Sequence, residues 1–164
     1  DNEKWIKKLK EATKSILNNK KPILGICFGH QILASCLGGK VEKNTMGWEL
    51  GSYNISLTRH ALNNPLFEGI NNDEVFYESH KDAVVMLPEG VKELAFTKKS
   101  NQSFTYNNLI YGVQFHPEFT YDVTRKLMDL RIKKGIVVDS DILNKSIKGK
   151  IILDNFIKIV KASL

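Results

Sequence analysis

The chain has no apolar run approaching the 18 or more residues that a membrane-spanning helix needs. It also lacks a signal peptide's charged-then-apolar opening, beginning instead Asp1-Asn2-Glu3-Lys4 with no methionine. These absences lead to the expectation of a cytoplasmic protein, and the first residue reads as a cut edge. Cysteine is scarce: Cys27 and Cys36 are the two in 164 residues. A pair raises the question of a disulfide. If the segment between them is helical, nine residues at 1.5 Å each put them roughly 13 Å apart. A disulfide tolerates a Cα separation of about 7 Å at most, so two free thiols in a reducing compartment are expected. Two thiols alone do not make a zinc site either. No P-loop, internal repeat, low-complexity tract or linker interrupts the sequence. A single domain spanning 1–164 is therefore the expectation.

What is present is the balance of a globular protein, 42% hydrophobic and 26% charged. The net charge of +6 raises a nucleic-acid reading, since clustered Lys and Arg mark phosphate binding. Here the basic residues are mostly Lys and run from end to end. Lys7-Lys8, Lys20-Lys21 and Lys98-Lys99 are short runs with no stacking aromatics between them. Neither nucleic acid nor membrane is expected as a partner.

Periodicity gives an α/β order. Trp5, Ile6, Leu9, Ala12, Ile16 and Leu17 recur at three- and four-residue steps, the stripe of an amphipathic helix. Pro22 to Ile26 is an apolar run suited to a buried parallel strand. Ile32, Leu33, Cys36 and Leu37 then mark a second helix, closed by Gly38-Gly39. Segments 51–58, 75–78, 91–97, 103–106 and 109–115 read as short strands between Asn, Gly and Pro turns. Val123, Leu127 and Leu130 predict a further helix stopped by Gly135, and 137–149 reads as a loop with a helical turn. Ile151, Ile152, Phe156, Ile159 and Val160 predict the last helix. The expected fold is a mainly parallel central sheet flanked by helices, with an additional antiparallel portion of short strands.

Gly25-Ile26-Cys27-Phe28-Gly29 lies directly after the buried strand and directly before a helix. Its G-x-nucleophile-x-G form is that of a nucleophile elbow, with Cys replacing Ser. The glycines relieve the crowding of a sharp strand-to-helix turn. Such a turn holds Cys27 Sγ at a helix N-terminus, where the dipole favours a thiolate. The backbone N–H of Phe28 is placed to donate to an oxyanion. The competing reading is a small Cys packed in the core.

A second signal is Gln114-Phe115-His116-Pro117-Glu118. His116 and Glu118 are two residues apart, so on an extended segment both side chains project to one side. A carboxylate beside a His fixes its tautomer and stabilises its imidazolium, which is the base-and-orienter half of a triad. The bland alternative is a solvated strand end.

Gly-Ile-Cys-Phe-Gly-His-Gln at 25–31, followed about ninety residues later by Gln-Phe-His-Pro-Glu, resembles the class I glutamine amidotransferases. Met46-Gly47-Trp48-Glu49-Leu50-Gly51, Ser79-His80-Lys81-Asp82 and Leu87-Pro88 are similar to its stand-alone GMP-synthase-like branch, which includes the γ-glutamyl peptidases. The resemblance implies Cys27 as nucleophile, His116 as base and acid, and Glu118 as the group orienting His116. It implies substrate contacts from Phe28 through its N–H, from Gln31, and from Ser79, His80 and Lys81 largely through their backbone. No cofactor is implied. The substrate would be glutamine or another γ-glutamyl compound, and a synthetase partner would receive the ammonia. In the family a strand–helix–strand portion with a glycine-rich loop supplies the other oxyanion donor. It would lie before Asp1, so the N-terminal part is expected to be missing here.

Three alternatives stand beside a glutaminase. A stand-alone γ-glutamyl peptidase would release an amine from γ-glutamyl conjugates. A non-enzymatic domain would use an elbow cysteine for redox sensing, although such domains lack the His-Pro-Glu motif. A metal site from His30, His80 and His116 fits by residue type, but no ligand spacing supports it.

Overall fold

The computed structural model describes residues 3–139, 143–145 and 148–164. Helix α1 (Lys4–Leu17) leads through Pro22 into strand β1 (Ile23–Ile26), and helix α2 (Phe28–Cys36) follows at once. Leu37 ends α2 and Gly38 takes φ +102°. Gly39 N–H then bonds Ala34 O at 2.8 Å, the closure expected of the Gly38-Gly39 pair. Strands β2 (Lys40–Lys43), β3 (Glu49–Asn54), β4 (Ser56–Leu57), β5 (Val75–His80), β6 (Asp82–Met86), β7 (Lys92–Phe96), β8 (Asn101–Tyr106) and β9 (Ile110–Val113) make up the middle. A short 3-10 helix (Pro65–Phe67) lies between β4 and β5, and helices α3 (Tyr121–Lys133) and α4 (Gly149–Ala162) complete the described elements.

The main sheet has the order β1-β9-β8-β7-β4, and two-stranded antiparallel ribbons pair β2 with β6 and β3 with β5. The fold is the expected α/β mixture of a helix-flanked sheet with short antiparallel parts. Parallel pairing among the described strands joins β1 to β9, running from Ile23↔Ile110 to Ile26↔Val113. That register brings the ends of both strands level. Cys27 and Gln114 therefore leave the sheet side by side, and Cys27 N–H bonds Val113 O at 2.8 Å.

One side of the core gathers Phe76, Leu94, Tyr111, Phe115 and Ile152, with α4 laid over it. On the α2 side, Leu33, Ala34 and Val84 pack with Phe104 and Ile110. A third cluster of Leu50, Tyr77, Met128 and Leu143 seats α3 against β3.

Several details differ from the sequence reading. The strand expected over 51–58 divides at Ile55, and its halves enter different sheets. Strands β2 and β6 escaped notice: β2 lies largely exposed, and β6 buries Ala83 and Val84 side by side rather than in alternation. The buried face of α3 carries Thr124 and Met128, whereas Val123 and Leu130 are exposed. Leu130 and Val123 do lie seven residues apart, yet the face that meets β3 is rotated one position from them. On α1, Ile6 is buried while Trp5, Leu9 and Ile16 remain exposed. Within 137–149, residues 140–142 and 146–147 lie outside the described residues, and α4 begins at Gly149. Among the described residues no helix is long and apolar enough to cross a membrane.

Candidate active site

Cys27 sits between β1 and α2 with φ +48° and ψ −100°. A positive φ is rare outside glycine and costs on the order of 1–3 kcal/mol, so surrounding packing must impose it. The imposing contacts are the Cys27 N–H bond to β9 and the first helical bond, Gln31 N–H to Cys27 O at 3.2 Å. Cys27 is half-buried, and Cys36 lies at the far end of α2 with its thiol on Lys10 O; both thiols are free. As the first helical residue, Phe28 has an N–H with no intrahelical acceptor, and its ring is exposed against Trp5, centroids 5.5 Å apart.

His116 and Glu118 meet through a turn rather than an extended segment, which corrects the expectation. Strand β9 ends at Val113, and Phe119 N–H closes onto His116 O at 3.2 Å with Pro117 between. Proline's fixed φ suits the second position of such a turn. His116 Nδ1 lies 2.7 Å from Glu118 Oε1, and His116 N–H bonds Tyr77 O on β5 at 2.8 Å. The Phe119 ring stacks on the imidazole at 3.9 Å and 8°. With Nδ1 engaged by Glu118, Nε2 is the ring nitrogen left free of that contact. Burial lowers the His116 pKa, but hydrogen bonds to Cys27 and Glu118, with the charges on both, outweigh it and lift the value to about 9.

Gln31 is buried, and its Nε2 donates to Asp82 O at 2.9 Å and to Gln114 Oε1 at 3.1 Å. Gln114 Nε2 in turn lies 3.5 Å from Cys27 Sγ. The Asp82 contact ties the junction of β5 and β6, where Ser79 and His80 end β5 and Lys81 leads into β6, to the elbow helix. Ser79 is half-buried and Lys81 is exposed. The His80 side chain turns inward, with Nδ1 3.0 Å from Asp82 O.

His80 Nε2 stands 3.3 Å from Glu49 and 3.2 Å from Glu78, contacts set by charge rather than by linear hydrogen bonds. Burial alone would depress His80, yet the two carboxylates raise its pKa to about 10. The carboxylates differ. Burial lifts Glu78 to about 7, whereas for Glu49 the burial penalty is exceeded by His80 and by donors, so its pKa falls. Those donors are Thr97 Oγ1 at 2.6 Å, Ser100 Oγ and Gln102 Nε2 at 3.2 Å. Glu49 is therefore the firmly ionised partner. His30, fully buried edge-on to Phe104 at 4.9 Å, is pushed down to about 3 by burial and by His80's charge. The three histidines considered for a metal thus have separate surroundings, and no cluster of three or more His, Cys, Asp or Glu suited to a metal occurs among the described residues.

Residues 1–132 match the family model described as glutamine amidotransferase class-I. The chain belongs to the class I glutamine amidotransferase family. Among curated members, a GMP synthase [glutamine-hydrolyzing] of Pyrobaculum aerophilum is 38% identical over 122 residues, covering 74% of this chain and 23% of that protein. Gamma-glutamyl peptidase 5 of Arabidopsis thaliana is 32% identical over 145 residues, 87% of this chain and 57% of that one. The crystal structure of a glutamine amidotransferase from Thermotoga maritima superposes with TM-score 0.69 at 26% identity, over 96% of this chain and 64% of the other. The chain thus spans 23% and 57% of the length of these two curated relatives.

Two site residues were invisible to the sequence reading, although both stand in or beside quoted motifs. Phe119 follows the His-Pro-Glu motif and braces His116; its aromatic type was the available signal. Glu49 lies in Trp48-Glu49-Leu50-Gly51, but a carboxylate in a strand ordinarily reads as solvent-facing.

Proposed function

We propose that the protein hydrolyses a γ-glutamyl amide, with glutamine as the substrate and ammonia as the released product. The observations that support this reading are the turn that holds Cys27 at the start of α2, the influence of Cys27 in raising the His116 pKa, and the 2.7 Å contact of His116 Nδ1 with Glu118 Oε1. Cys27 Sγ, its proton taken by His116, attacks the side-chain carbonyl carbon. The oxygen gains the charge, which the Phe28 N–H receives. The C–N bond then breaks as His116 protonates the leaving nitrogen, and a γ-glutamyl thioester remains on Cys27. His116 next deprotonates a water, which displaces the thiolate and yields glutamate. Glu118 holds the imidazole in one tautomer and offsets its charge in both half-reactions. The Ser79–Lys81 backbone and the Oε1 of Gln31 are placed in this scheme at the amino-acid end of the substrate. A synthetase domain or partner chain would consume the ammonia, as the names of the GMP synthases imply for those proteins.

A second reading, hydrolysis of γ-glutamyl conjugates with release of an amine, has support in the similarity to the Arabidopsis γ-glutamyl peptidase. The same acyl-enzyme serves both. Treating the full-length protein with a diazo-ketone glutamine analogue tests the shared step by mass spectrometry. One adduct on Cys27 is expected, blocked by excess glutamine and lost in Cys27→Ala; its absence would overturn both readings. Faster turnover of a γ-glutamyl dipeptide than of glutamine would select the second.

A further inference from the structure

Gln114 is fully buried where β9 ends, and its side-chain amide bridges two groups. Its Nε2 lies 3.5 Å from Cys27 Sγ, and its Oε1 lies 3.1 Å from Gln31 Nε2. An amide turned by half a rotation exchanges its donor and acceptor, so the group facing the sulfur needs an anchor. The anchor is the backbone carbonyl of Asp82. A carbonyl oxygen only accepts, so Gln31 has to present its NH2 group there, at 2.9 Å. The second hydrogen of that NH2 points to Gln114, which must answer with oxygen. Gln114 then has its own NH2 left for the sulfur. Two buried amides thus form a chain whose direction is fixed at Asp82 and delivered at Cys27.

We propose that Gln114 is a further catalytic residue, donating an N–H to the Cys27 sulfur, and that Gln31 is the positioning residue that keeps Gln114 in its donor orientation. The proposal rests on Cys27 being the nucleophile. A thiol sulfur is a weak acceptor, whereas a thiolate accepts strongly. The contact therefore favours the thiolate over the thiol before attack. It loosens in the thioester and re-forms as the thiolate departs during deacylation. His116 must surrender a proton within the cycle, whereas the amide N–H is too weak an acid to do so and is a donor again each time the thiolate returns.

The test is the rate at which iodoacetamide alkylates Cys27 in the full-length protein, followed against pH. This reagent has no amino-acid end, so contacts that Gln31 makes to substrate do not enter. At pH 7, Gln114→Met is expected to alkylate about tenfold more slowly or slower still, the effect of removing one hydrogen bond to a charged group. At pH 10 its rate should meet the wild type's, because the thiolate then forms without help. Gln31→Met should show a smaller loss at pH 7, and the double variant should be no slower than Gln114→Met alone. Wild-type rates in Gln114→Met, or losses that multiply in the double variant, would overturn the proposal. Both residues are buried, so a measurement without substitution accompanies these. The Gln114 side-chain amide signal in the NMR spectrum should shift when Cys27 is alkylated, and an unmoved signal counts against the contact. Should the diazo-ketone adduct and glutamine turnover be present while alkylation ignores both substitutions, the amide chain fails alone. Loss of adduct and turnover in the wild type would instead remove the underlying assignment of Cys27.

Discussion

A first side-chain carbon on Gly25 would lie 2.6 Å from the backbone carbonyl of Gly29, across the turn that presents Cys27. The same carbon would lie 2.5 Å from Leu33 Cδ1. Backbone cannot yield as a flexible side chain can, so the strand and the helix meet here only without a side chain. Gly29 differs: a carbon added there meets nothing within 4 Å. Gly25→Ala should destabilise the protein by about 1–3 kcal/mol through overpacking and shift Cys27 off its helix end. Gly29→Ala should be close to neutral in packing and gain up to about 1 kcal/mol of helix propensity. Urea unfolding of the two variants checks the contrast, and equal losses would show that the close approach does not control the turn.

His116 gives a pH prediction with a definite sign. Its pKa is raised from 6.5 to about 9 in the folded chain. The raised base favours folding fully below pH 6.5 and loses that contribution as pH climbs from 6.5 to 9. Cys27→Ala and Glu118→Gln each remove a group that raises it. In either variant the NMR titration midpoint of His116 should fall from about 9 toward 6.5. The stability difference from wild type should shrink across the same window. A midpoint that stays near 9 in Cys27→Ala would show that the ring does not engage the thiol.

The buried pair of Glu49 and His80 joins the β3–β5 ribbon, where the two residues face each other in register. Removing one partner of a buried ion pair ordinarily costs about 3–5 kcal/mol, because the other charge is stranded. Glu49→Ala should fall in that range, since Thr97, Ser100 and Gln102 lose their acceptor as well. Glu49→Gln should cost less. His80, raised to about 10, contributes fully below pH 6.5 and loses that contribution toward pH 10. With Glu49 gone that decline should begin at lower pH, which denaturant titrations at several pH values would detect.

How far the sequence reaches is instructive in these particular places. The elbow was legible because a strand, two glycines and a helix leave few ways to hold Cys27, and the pattern is local. The His116 and Glu118 contact was legible by spacing, though not its cause: a turn at Pro117 replaces the extended segment. Gln31 could be marked as important, but not its link to Gln114, which depends on the parallel register of β1 and β9 across 83 residues. Periodicity found α1 and α3 as helices but not their buried faces: the α1 stripe is largely exposed in the described chain, and on α3 Met128 rather than Leu130 meets β3. A stripe states that a face is apolar and leaves open what it packs on.

Gly149, the first residue of α4, meets the site in a way that no motif announces. A side-chain carbon there would lie 2.3 Å from the carbonyl oxygen of Pro117 and 3.0 Å from its Cα. Pro117 stands between His116 and Glu118, so a side chain at 149 must push either the helix start or this turn. The helix is held from its other side by Ile152 in the core and by Asn155, whose Nδ2 donates to Leu66 O and Glu68 O at 3.1 and 2.8 Å. The turn is tied to β5 through His116 N–H and Tyr77 O, while its other bonds are internal to it, so it is the part that should move. Gly149→Ala is therefore expected to lower activity on glutamine about 100-fold, the scale of a misplacement near 1 Å, with a smaller loss of stability than Gly25→Ala. Turnover measured together with urea unfolding separates the two effects. Full activity in a stably folded Gly149→Ala would mean that α4 yields instead and that the turn is rigid by itself.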